Sequence, residues 1–523
     1  MDSKNLRGCA LFSSIAIGFS QLDPLSFFLL FAGSVVGLIF GCVPGLSGSI
    51  ALTLAIPLTF TMTSIQAFAS FMGLFVGGCS GGLISAILIG VPGTPSSLTT
   101  VFDGYPMAQK GQPGKALGVA IFCSFLGSLF GFLALFWIAE PLSRIAIKFG
   151  PIELFSINLF AISLVSVLAG KDLLKGWVVA LIGILLGMVG MSEVDGIQRM
   201  TLGIGKLNSG ISATPAMVGL FVIGSLFSAS LADKGYVDTS KIMDYRIHGL
   251  GFSLKEAKEQ GLNFLRSALI GLGIGILPGI GGVTSNLVAY TVAKSSSKHP
   301  ELFGTGHIGG VVASETANNA SVGGAMIPFL ALGIPGDGFT ALLMGGLTLH
   351  GFIAGPILFT ANSNFVYAIF ACLLLSAVIT VLVEYTGLPL LVKSLKVPKH
   401  ILMPIIMVMI MVGCISVNNR IFECWIMLFF GVISYILRKY KFSITPVVLG
   451  FMLGPQIEVG LRRGLMIARN DVSVFFTNPV SLTFILLAVL GTLFLLRQNN
   501  RNEARLRAHA AKSGTILEED VDD

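Results

Sequence analysis

Apolar stretches of about 20 residues recur along almost the whole of this 523-residue chain. A helix that crosses the roughly 30 Å hydrocarbon core of a bilayer needs about that length, so each stretch is a candidate transmembrane span. We count roughly 12 such spans, which predicts an all-α polytopic membrane protein. Their expected bounds are 25–43, 66–91, 116–139, 152–170, 174–190, 214–231, 262–280, 311–334, 365–386, 401–417, 422–437 and 479–496.

The composition agrees with an integral membrane protein. Only 11% of the residues are charged and 54% are hydrophobic, whereas a soluble domain carries roughly 25% charged residues. In such a chain the net charge of +7 is typical of basic loops near a cytoplasmic leaflet, so membrane lipid rather than nucleic acid is the expected partner. The seven cysteines include no CxxC pair, so they indicate neither a zinc knuckle nor a disulfide framework. No cofactor and no resident metal are expected.

One extended polar stretch, 232–261, separates two hydrophobic halves of the chain. It is rich in Lys and Arg, as is the beginning of the tail, and the positive-inside rule predicts that both lie on the cytoplasmic side. We therefore expect five segments. They are an N-terminal segment at 1–24, a first transmembrane repeat at 25–231, a central loop at 232–261, a second transmembrane repeat at 262–497 and a charged tail at 498–523.

The two halves carry matching Pro-Gly pairs in the same order. Pro44-Gly45 corresponds to Pro278-Gly279, and Pro92-Gly93 corresponds to Pro335-Gly336. Small residues also recur at every fourth position, at Gly33, Gly37, Gly41 and Gly45 in one half and at Ser267, Gly271, Gly275 and Gly279 in the other. Such ladders are typical of close helix packing, and the matched pairs favour an internal duplication.

The four Pro-Gly segments, 43–48, 90–97, 277–282 and 333–338, cannot continue a helix, because Pro lacks a backbone donor and Gly is conformationally permissive. At membrane depth, the freed backbone groups must face protein or a water-filled cavity, and helices that restart there aim N–H groups inward. Paired broken helices in duplicated halves are typical of secondary transporters. The alternative is that these segments are loops at the membrane surface.

An anionic substrate would meet no basic clamp here, because the stretches 8–109 and 299–392 contain neither Lys nor Arg. Backbone N–H groups, hydroxyl and amide side chains and co-bound cations would have to hold it. The predicted substrate-binding residues are Pro44, Gly45, Ser47, Gly48, Pro92, Gly93, Thr94, Ser96, Gly279, Gly281, Gly282, Thr284, Asn318, Asn319, Pro335 and Gly336.

Acidic residues are rare in the same stretches, and an intramembrane carboxylate marks a functional site by default. We predict that Glu315 and Asp337, with the amide of Asn319, are cation ligands or proton carriers. The alternative is that either carboxylate lies in an aqueous loop or pairs with a polar partner. The sequence Asp103-Gly104-Tyr105-Pro106 is interpreted as a polar re-entrant tip or a surface turn.

At these positions the chain resembles the large membrane (permease, TctA-type) subunit of the tripartite tricarboxylate transporters, and the resemblance extends over nearly the whole chain. The residues that carry it are Pro44-Gly45-Leu46-Ser47-Gly48, Pro92-Gly93-Thr94-Pro95, Asp103-Gly104-Tyr105-Pro106-Met107-Ala108, Lys298-His299-Pro300-Glu301, Glu315-Thr316-Ala317-Asn318-Asn319, Leu332-Gly333-Ile334-Pro335-Gly336 and Leu461-Arg462-Arg463-Gly464. Two features depart from the family pattern: a longer N-terminus, and Asp337 where small or hydroxyl residues are commoner.

The resemblance implies a 12-span permease of the bacterial inner membrane. It also implies two partners, a small four-span membrane subunit and an extracytoplasmic solute-binding protein. Expected substrates are di- and tricarboxylates, citrate-like organic acids, imported on a Na⁺ or H⁺ gradient. No enzymatic activity is expected.

Two other functions are open at this point. Gly45-Leu46-Ser47-Gly48 fits the GxSG pattern of rhomboid-type intramembrane serine proteases, with His350 as a conceivable base. However, the second copy of the motif has Gly281 where the first has Ser47, and a nucleophile should not be dispensable in the copy. An ion channel would instead conduct without any binding protein.

Overall fold

A helix lies at each of the twelve apolar stretches predicted as spans, within the part of the chain that the structure describes. The computed structural model describes residues 14–168, 173–224, 226–227, 245–247, 249–279, 281–395, 399–493 and 497. The helices are α1 (Pro24–Cys42), α2 (Gly48–Leu58), α3 (Ser64–Ser80), α4 (Gly82–Ile89), α5 (Leu98–Gln109), α6 (Pro113–Ala146), α7 (Pro151–Leu168), α8 (Leu173–Gly187), α9 (Ala213–Val218), α10 (Leu254–Ile276), α11 (Gly281–Ser295), α12 (Ile308–Leu332), α13 (Gly338–Leu349), α14 (Pro356–Ala361), α15 (Ser363–Thr386), α16 (Leu388–Ser394), α17 (Lys399–Asn418), α18 (Phe422–Lys439), α19 (Thr445–Ile467), α20 (Val474–Thr477) and α21 (Pro479–Leu493).

Shorter elements complete the secondary structure. Single 3₁₀ turns lie at Thr59–Thr61, Pro95–Ser97, Gly205–Leu207 and Pro300–Leu302, and a π-helical turn at Gly219–Ile223 continues α9. Two strands, β1 (Gly190–Met191) and β2 (Gln198–Arg199), pair antiparallel. The contacts divide the chain into one unit of residues 1–148 and 211–440 and another of 149–210 and 441–523.

In the part of the chain that the structure describes, four helical stretches are long and apolar enough to cross a membrane. They are Pro24–Cys42, Ser64–Ile89, Pro113–Ala146 and Ser363–Thr386. Shorter apolar helical segments, of 10 to 17 residues, also occur among the described residues, for example Gly338–Leu349 and Pro479–Leu493. The chain is therefore a mostly helical, polytopic membrane protein.

The glycine ladders are packing surfaces. A Cβ added to Gly37 of α1 would lie 2.7 Å from the carbonyl oxygen of Leu74 in α3. A Cβ added to Gly275 of α10 would lie 2.6 Å from the carbonyl oxygen of Ser321 in α12. Only a residue without a side chain permits such backbone approach, so the prediction that the ladders serve close helix packing is confirmed.

Helix α12 is the buried centre of the first unit, since every residue from 309 to 331 is shielded from solvent. It packs on α6, where Gly127 and Gly131 let the two backbones touch, and on α10 through the second ladder. Its buried polar side chains are Ser314, Glu315, Thr316, Asn318, Asn319 and Ser321. Buried polar groups need partners, so the contacts of α12 locate the candidate site.

Helix α10 begins at Leu254, within the stretch predicted as a loop. Ser253 and Glu256 form a reciprocal capping box that satisfies two backbone N–H groups at the start of the helix. Glu256 also forms an ion pair with Lys115 at the start of α6, with 2.5 Å between the Lys115 Nζ and the Glu256 Oε1. The N-terminal turns of α6 and α10 are thereby joined.

The second unit contains α7, α8, α19, α20, α21 and the two strands. Gly183 of α8 lies against the backbone of Val447 in α19, and Arg199 of β2 forms a two-point ion pair with Glu458 of α19. The fold is mostly helical, as the sequence predicted, and the two-residue strands are a small local addition to it. They begin at Gly190, whose φ of +115° turns the chain out of the helical region just after α8 ends.

Candidate functional site

All four Pro-Gly segments interrupt the helices at the predicted places. The first lies between α1 and α2, the second between α4 and α5, the third between α10 and α11, and the fourth between α12 and α13. Each contains a glycine in the left-handed region, namely Gly45 (φ 88°), Gly90 (φ 70°), Gly279 (φ 74°) and Gly333 (φ 73°). A side chain at these positions would be strained, which explains why glycine recurs there.

The second break of the first half packs against the helix that leads into the first break. Gly93, in the second break, lies against the backbone carbonyl of Gly41 at the end of α1. A Cβ added to Gly93 would also lie 2.9 Å from the Cα of Gly82. Thus three glycines allow the second break to lie directly against α1 and α4.

The two breaks of the second half are joined by a hydrogen bond. The backbone N–H of Gly279 donates to the carbonyl of Gly336 at 2.7 Å. Nearby, a Cβ added to Gly281 would lie 3.3 Å from the Cβ of Asp337. Because the helices are interrupted here, neither the N–H of Gly279 nor the carbonyl of Gly336 has a partner within a helix, and the two groups pair with each other instead.

Contacts between the halves complete this arrangement. The side-chain amide of Asn286 donates to the backbone carbonyl of Ser96, so α11 is tied to the second break. A Cβ added to Gly282 would lie 3.3 Å from the Cβ of Ser96, and one added to Gly48 would lie 2.9 Å from the ring of Phe339. Taken with the flanking residues Gly41, Asn286 and Phe339, each break therefore contacts two others, and we call the four segments with these flanking residues the break cluster.

The polar groups of the break cluster are hydroxyls, amides and backbone groups. The Oγ atoms of Thr94 and Ser96 lie 3.1 Å apart, and the amide of Asn318 donates to the carbonyl of Cys79 at 3.2 Å. Ser47 precedes α2 without a capping bond from its side chain, and Thr284 lies half-buried in the first turn of α11.

The predicted substrate residues divide between two places. The contacts above join Gly48, Gly93, Ser96, Gly279, Gly281, Gly282, Asn318 and Gly336 in the break cluster. Asn319, the neighbour of Asn318, has its side chain elsewhere. Its Oδ1 accepts from Ser128 of α6 at 3.4 Å, and its amide donates to the backbone carbonyl of Glu315 at 3.2 Å.

Glu315 is completely buried on α12. One carboxylate oxygen accepts a short hydrogen bond from Thr100, and the other accepts from Ser124 at 2.8 Å. Among the ion pairs of the described residues, none includes Glu315. A buried carboxylate held only by hydroxyls needs a proton or a cation to neutralise it.

Asp337 is the N-cap of α13. Its Oδ1 accepts a hydrogen bond from the backbone N–H of Thr340 at 2.8 Å. In return, the backbone N–H of Asp337 donates to the hydroxyl oxygen of Thr340, also at 2.8 Å. A carboxylate at this position is stabilised by the positive end of the helix dipole. The side chain is half-buried.

The interpretation of the Asp103-Gly104-Tyr105-Pro106 motif as a re-entrant tip or surface turn is wrong, because these residues lie within the helix α5. Asp103 is buried, and its Oδ1 accepts from the backbone N–H groups of Gly304, Gly306 and His307 at 2.7 to 2.9 Å. Its Oδ2 accepts from the hydroxyl of Tyr290 at 2.8 Å. Sequence reasoning failed because all four donors lie about 200 residues away along the chain.

Glu384 of α15 was left without a role by the sequence, although it too is a buried carboxylate. It accepts from the hydroxyl of Ser80, at the end of α3, at 2.8 Å. The signal was present, because Glu384 is the only acidic residue within the apolar stretch 365–386.

Residues 27–449 match the model of the tripartite tricarboxylate transporter TctA family. The chain belongs to this family. It is 32% identical over 494 residues to an Agrobacterium vitis protein described as an uncharacterized 52.8 kDa protein in the TAR-I ttuC′ 3′ region, covering 94% of this chain and 98% of that one. A second Agrobacterium vitis protein, described as uncharacterized and in the TAR-II ttuC′ 3′ region, is 35% identical over 230 residues, which are 44% of this chain and 95% of that protein. No solved structure matches the chain significantly.

TctA proteins are non-enzymatic membrane transporter subunits of tripartite systems, so the protease hypothesis is wrong. The geometry agrees, because the Nε2 of His350 lies 3.2 Å from the hydroxyl of Thr59, and no hydrogen bond joins His350 to Ser47 among the described residues. A catalytic serine needs its base within hydrogen-bond reach.

Proposed function

We propose that this chain is the large permease subunit of a cation-gradient-driven importer of di- and tricarboxylates, citrate-like organic acids. The observation that carries the proposal is the break cluster, four interrupted helices that meet within one unit of a TctA-family chain. Interrupted helices that meet in this way expose backbone N–H and C=O groups to a bound substrate and its coupling ions.

The proposed architecture is about twelve spans in two repeats. The order of elements supports it. In each half a ladder helix is followed by a break and a shorter helix, as α1 is by α2 and α10 is by α11. Then an almost entirely buried stretch reaches a left-handed glycine and a second break, at Gly90 and at Gly333.

We assign substrate binding to the break cluster. Helices α2, α11 and α13 begin there, and free N–H groups at helix starts are suited to carboxylate groups. The hydroxyls of Thr94 and Ser96 and the amide of Asn318 would add hydrogen bonds. With no Lys or Arg in 8–109 or 299–392, such a site holds a polyanion only when its charge is balanced by cations.

Cation coupling follows from the same argument, and we assign it to Glu315, Asn319 and Asp337. Asp337 already lies at the start of α13, so its carboxylate would repel a substrate carboxylate arriving beside it. A Na⁺ ion or a proton bound with the substrate removes that repulsion. Uptake then requires that the substrate and the cation or proton bind together.

The proposed partners are a small four-span membrane subunit and an extracytoplasmic solute-binding protein. The proposed location is a bacterial inner membrane, with the central loop and the C-terminal tail in the cytoplasm. The basic residues of those two segments support this orientation.

The test is uptake into proteoliposomes. Purified permease is reconstituted with and without the small subunit, and radiolabelled citrate, tartrate or glutarate is supplied with the binding protein under imposed Na⁺ or H⁺ gradients. We expect uptake of at least one acid that needs the gradient and both partners. Uptake of none of them would overturn the substrate class, and a substrate-independent ionic current would favour a channel.

A further inference from the structure

A small cavity lies between α3, α6, α12 and α15, beside the Glu384 carboxylate. Its lining includes six side chains with oxygen atoms, namely Ser80, Ser124, Ser128, Asn319, Thr380 and Glu384. Its volume, about 10 Å³ for the centre of a water-sized sphere, is enough for one water molecule or one dehydrated monovalent cation. All six side chains are buried.

The hydrogen bonds around this cavity leave oxygen lone pairs available. Ser80 donates its hydrogen to Glu384, and Ser124 donates its hydrogen to Glu315, both at 2.8 Å. Ser128 donates to the Oδ1 of Asn319 at 3.4 Å. A hydroxyl that has used its one hydrogen in this way can only accept, so the three serines present acceptors to the cavity.

Thr380 provides an independent indication of a ligand. Its Oγ1 is buried, lines the cavity and has no hydrogen-bond partner among the residues that the structure describes. A buried hydroxyl without a partner is unfavourable, and such a group in a native fold calls for an ion or a water.

From this geometry, and resting on the transport function proposed above, we propose that the cavity is a sodium site with Glu384 as its charged ligand. Hard monovalent and divalent cations prefer carboxylate, carbonyl and hydroxyl oxygens, which are the groups assembled here. A proton on Glu384 would neutralise its charge, but Thr380 would then need a separate water as its partner. A Na⁺ ion satisfies both groups, which favours sodium over the proton.

The site is connected to the break cluster through α12. Asn319 lines the cavity, whereas its neighbour Asn318 contacts Cys79 and Gly282 in the break cluster. Ser124 likewise joins the cavity to Glu315. Sodium bound beside Glu384 would therefore fix the part of α12 that contacts the substrate site, which is the physical route for coupling.

Sodium binding can be measured without substrate or partner proteins. We would follow thermal unfolding of the purified full-length permease in detergent as NaCl replaces choline chloride at constant ionic strength, with KCl as a second reference. We expect Na⁺ to raise the Tm of the wild-type protein by mass action, and K⁺ to raise it far less. Glu384→Gln should abolish the Na⁺ response.

Thr380→Val keeps the side-chain shape and removes only the hydroxyl. It should raise the Na⁺ concentration for half-maximal stabilisation about tenfold. Ser376→Ala is the matched control, because Ser376 is buried one turn earlier on α15 but bonds to the carbonyl of Leu373. Glu423→Gln controls for loss of a buried carboxylate elsewhere. Both controls should keep the wild-type Na⁺ response.

Equal stabilisation of the wild-type protein by Na⁺ and K⁺, or a full Na⁺ response in Glu384→Gln, would overturn the sodium site. Carboxylate uptake driven by a proton gradient alone would contradict it too, while leaving the proposed transport function intact. Conversely, a Na⁺ response that depends on Glu384, without uptake of any tested carboxylate, would support the site and reject the proposed substrate class.

Discussion

The side-chain amide of Asn286 donates a hydrogen bond to the backbone carbonyl of Ser96, and this bond ties the second half of the chain to the first. Ser96 lies in a 3₁₀ turn after a broken helix, so its backbone carbonyl has no partner within an α-helix. The amide of Asn286 supplies the missing donor. Asn286 is completely buried one turn into α11. The contact therefore couples stability to the geometry of the break cluster.

We expect Asn286→Leu to lower the free energy of unfolding by about 1–3 kcal/mol, because it leaves a buried carbonyl without its donor. Gradient-driven uptake should fall more than stability alone explains. Thermal unfolding and proteoliposome uptake, measured on the same preparation, test this. Asn263→Leu is the control, since Asn263 makes a comparable 2.9 Å bond to Gly309 outside the break cluster. Equal uptake in the two variants would contradict the expectation.

Two glycines on one helix give a test of the ladder. A Cβ on Gly275 of α10 would lie 2.6 Å from the carbonyl oxygen of Ser321, whereas one on Gly273 would meet nothing within 4 Å. Gly275→Ala should destabilise the protein by about 1–3 kcal/mol through overpacking. Gly273→Ala should be neutral or stabilising by up to about 1 kcal/mol, because Ala favours the helix. Thermal unfolding in detergent distinguishes them, and a similar Tm for both would reject the packing role.

The sequence predicted the backbone breaks better than the side-chain contacts. Pro and Gly act locally, so Pro44-Gly45 and its three counterparts interrupt helices where expected. The partners of Asp103 and Glu384 lie far along the chain and depend on tertiary packing, which periodicity does not report. Asn318 and Asn319 were both predicted to bind substrate, and Asn319 also to serve the cation. The sequence did not indicate that their side chains have different partners, which they do because neighbouring helical residues point about 100° apart.

The Asp103 carboxylate should stabilise the fold, since it accepts hydrogen bonds from three backbone N–H groups and one hydroxyl. Asp103→Leu should cost about 3 kcal/mol or more, because the Tyr290 hydroxyl and three backbone N–H groups lose a buried, charged acceptor. Tyr290→Phe removes one of the four donors and should cost about 1 kcal/mol. Limited proteolysis of the segment 300–307, together with thermal unfolding, measures both. Wild-type protease resistance in Asp103→Leu would contradict the assignment.

The Lys115–Glu256 ion pair should give a pH-dependent contribution to stability. The hydrogen bond from Lys115, together with the capping bond from Ser253, lowers the pKa of Glu256 to about 2 from its ordinary value of 4.5. A lowered folded-state pKa stabilises the fold above the unfolded pKa and is lost as the pH falls. The Tm difference between the wild-type protein and Glu256→Gln should therefore shrink from about pH 4.5 to about pH 2. A constant difference across that range would contradict the ion pair.

Asp337 allows its capping role and its proposed coupling role to be separated. Asn is as good an N-cap as Asp, so Asp337→Asn should keep the capping bond to Thr340 and unfold within about 0.5 kcal/mol of the wild-type protein. Asp337→Ala should lose about 1 kcal/mol, because the first turn of α13 loses its acceptor. If the charge couples cation to substrate, both variants should lose the gradient dependence of uptake, and Glu315→Gln should do the same. If the carboxylate serves only as a cap, Asp337→Asn should transport like the wild-type protein, and the coupling site would then have to lie with the buried carboxylates of α12 and α15.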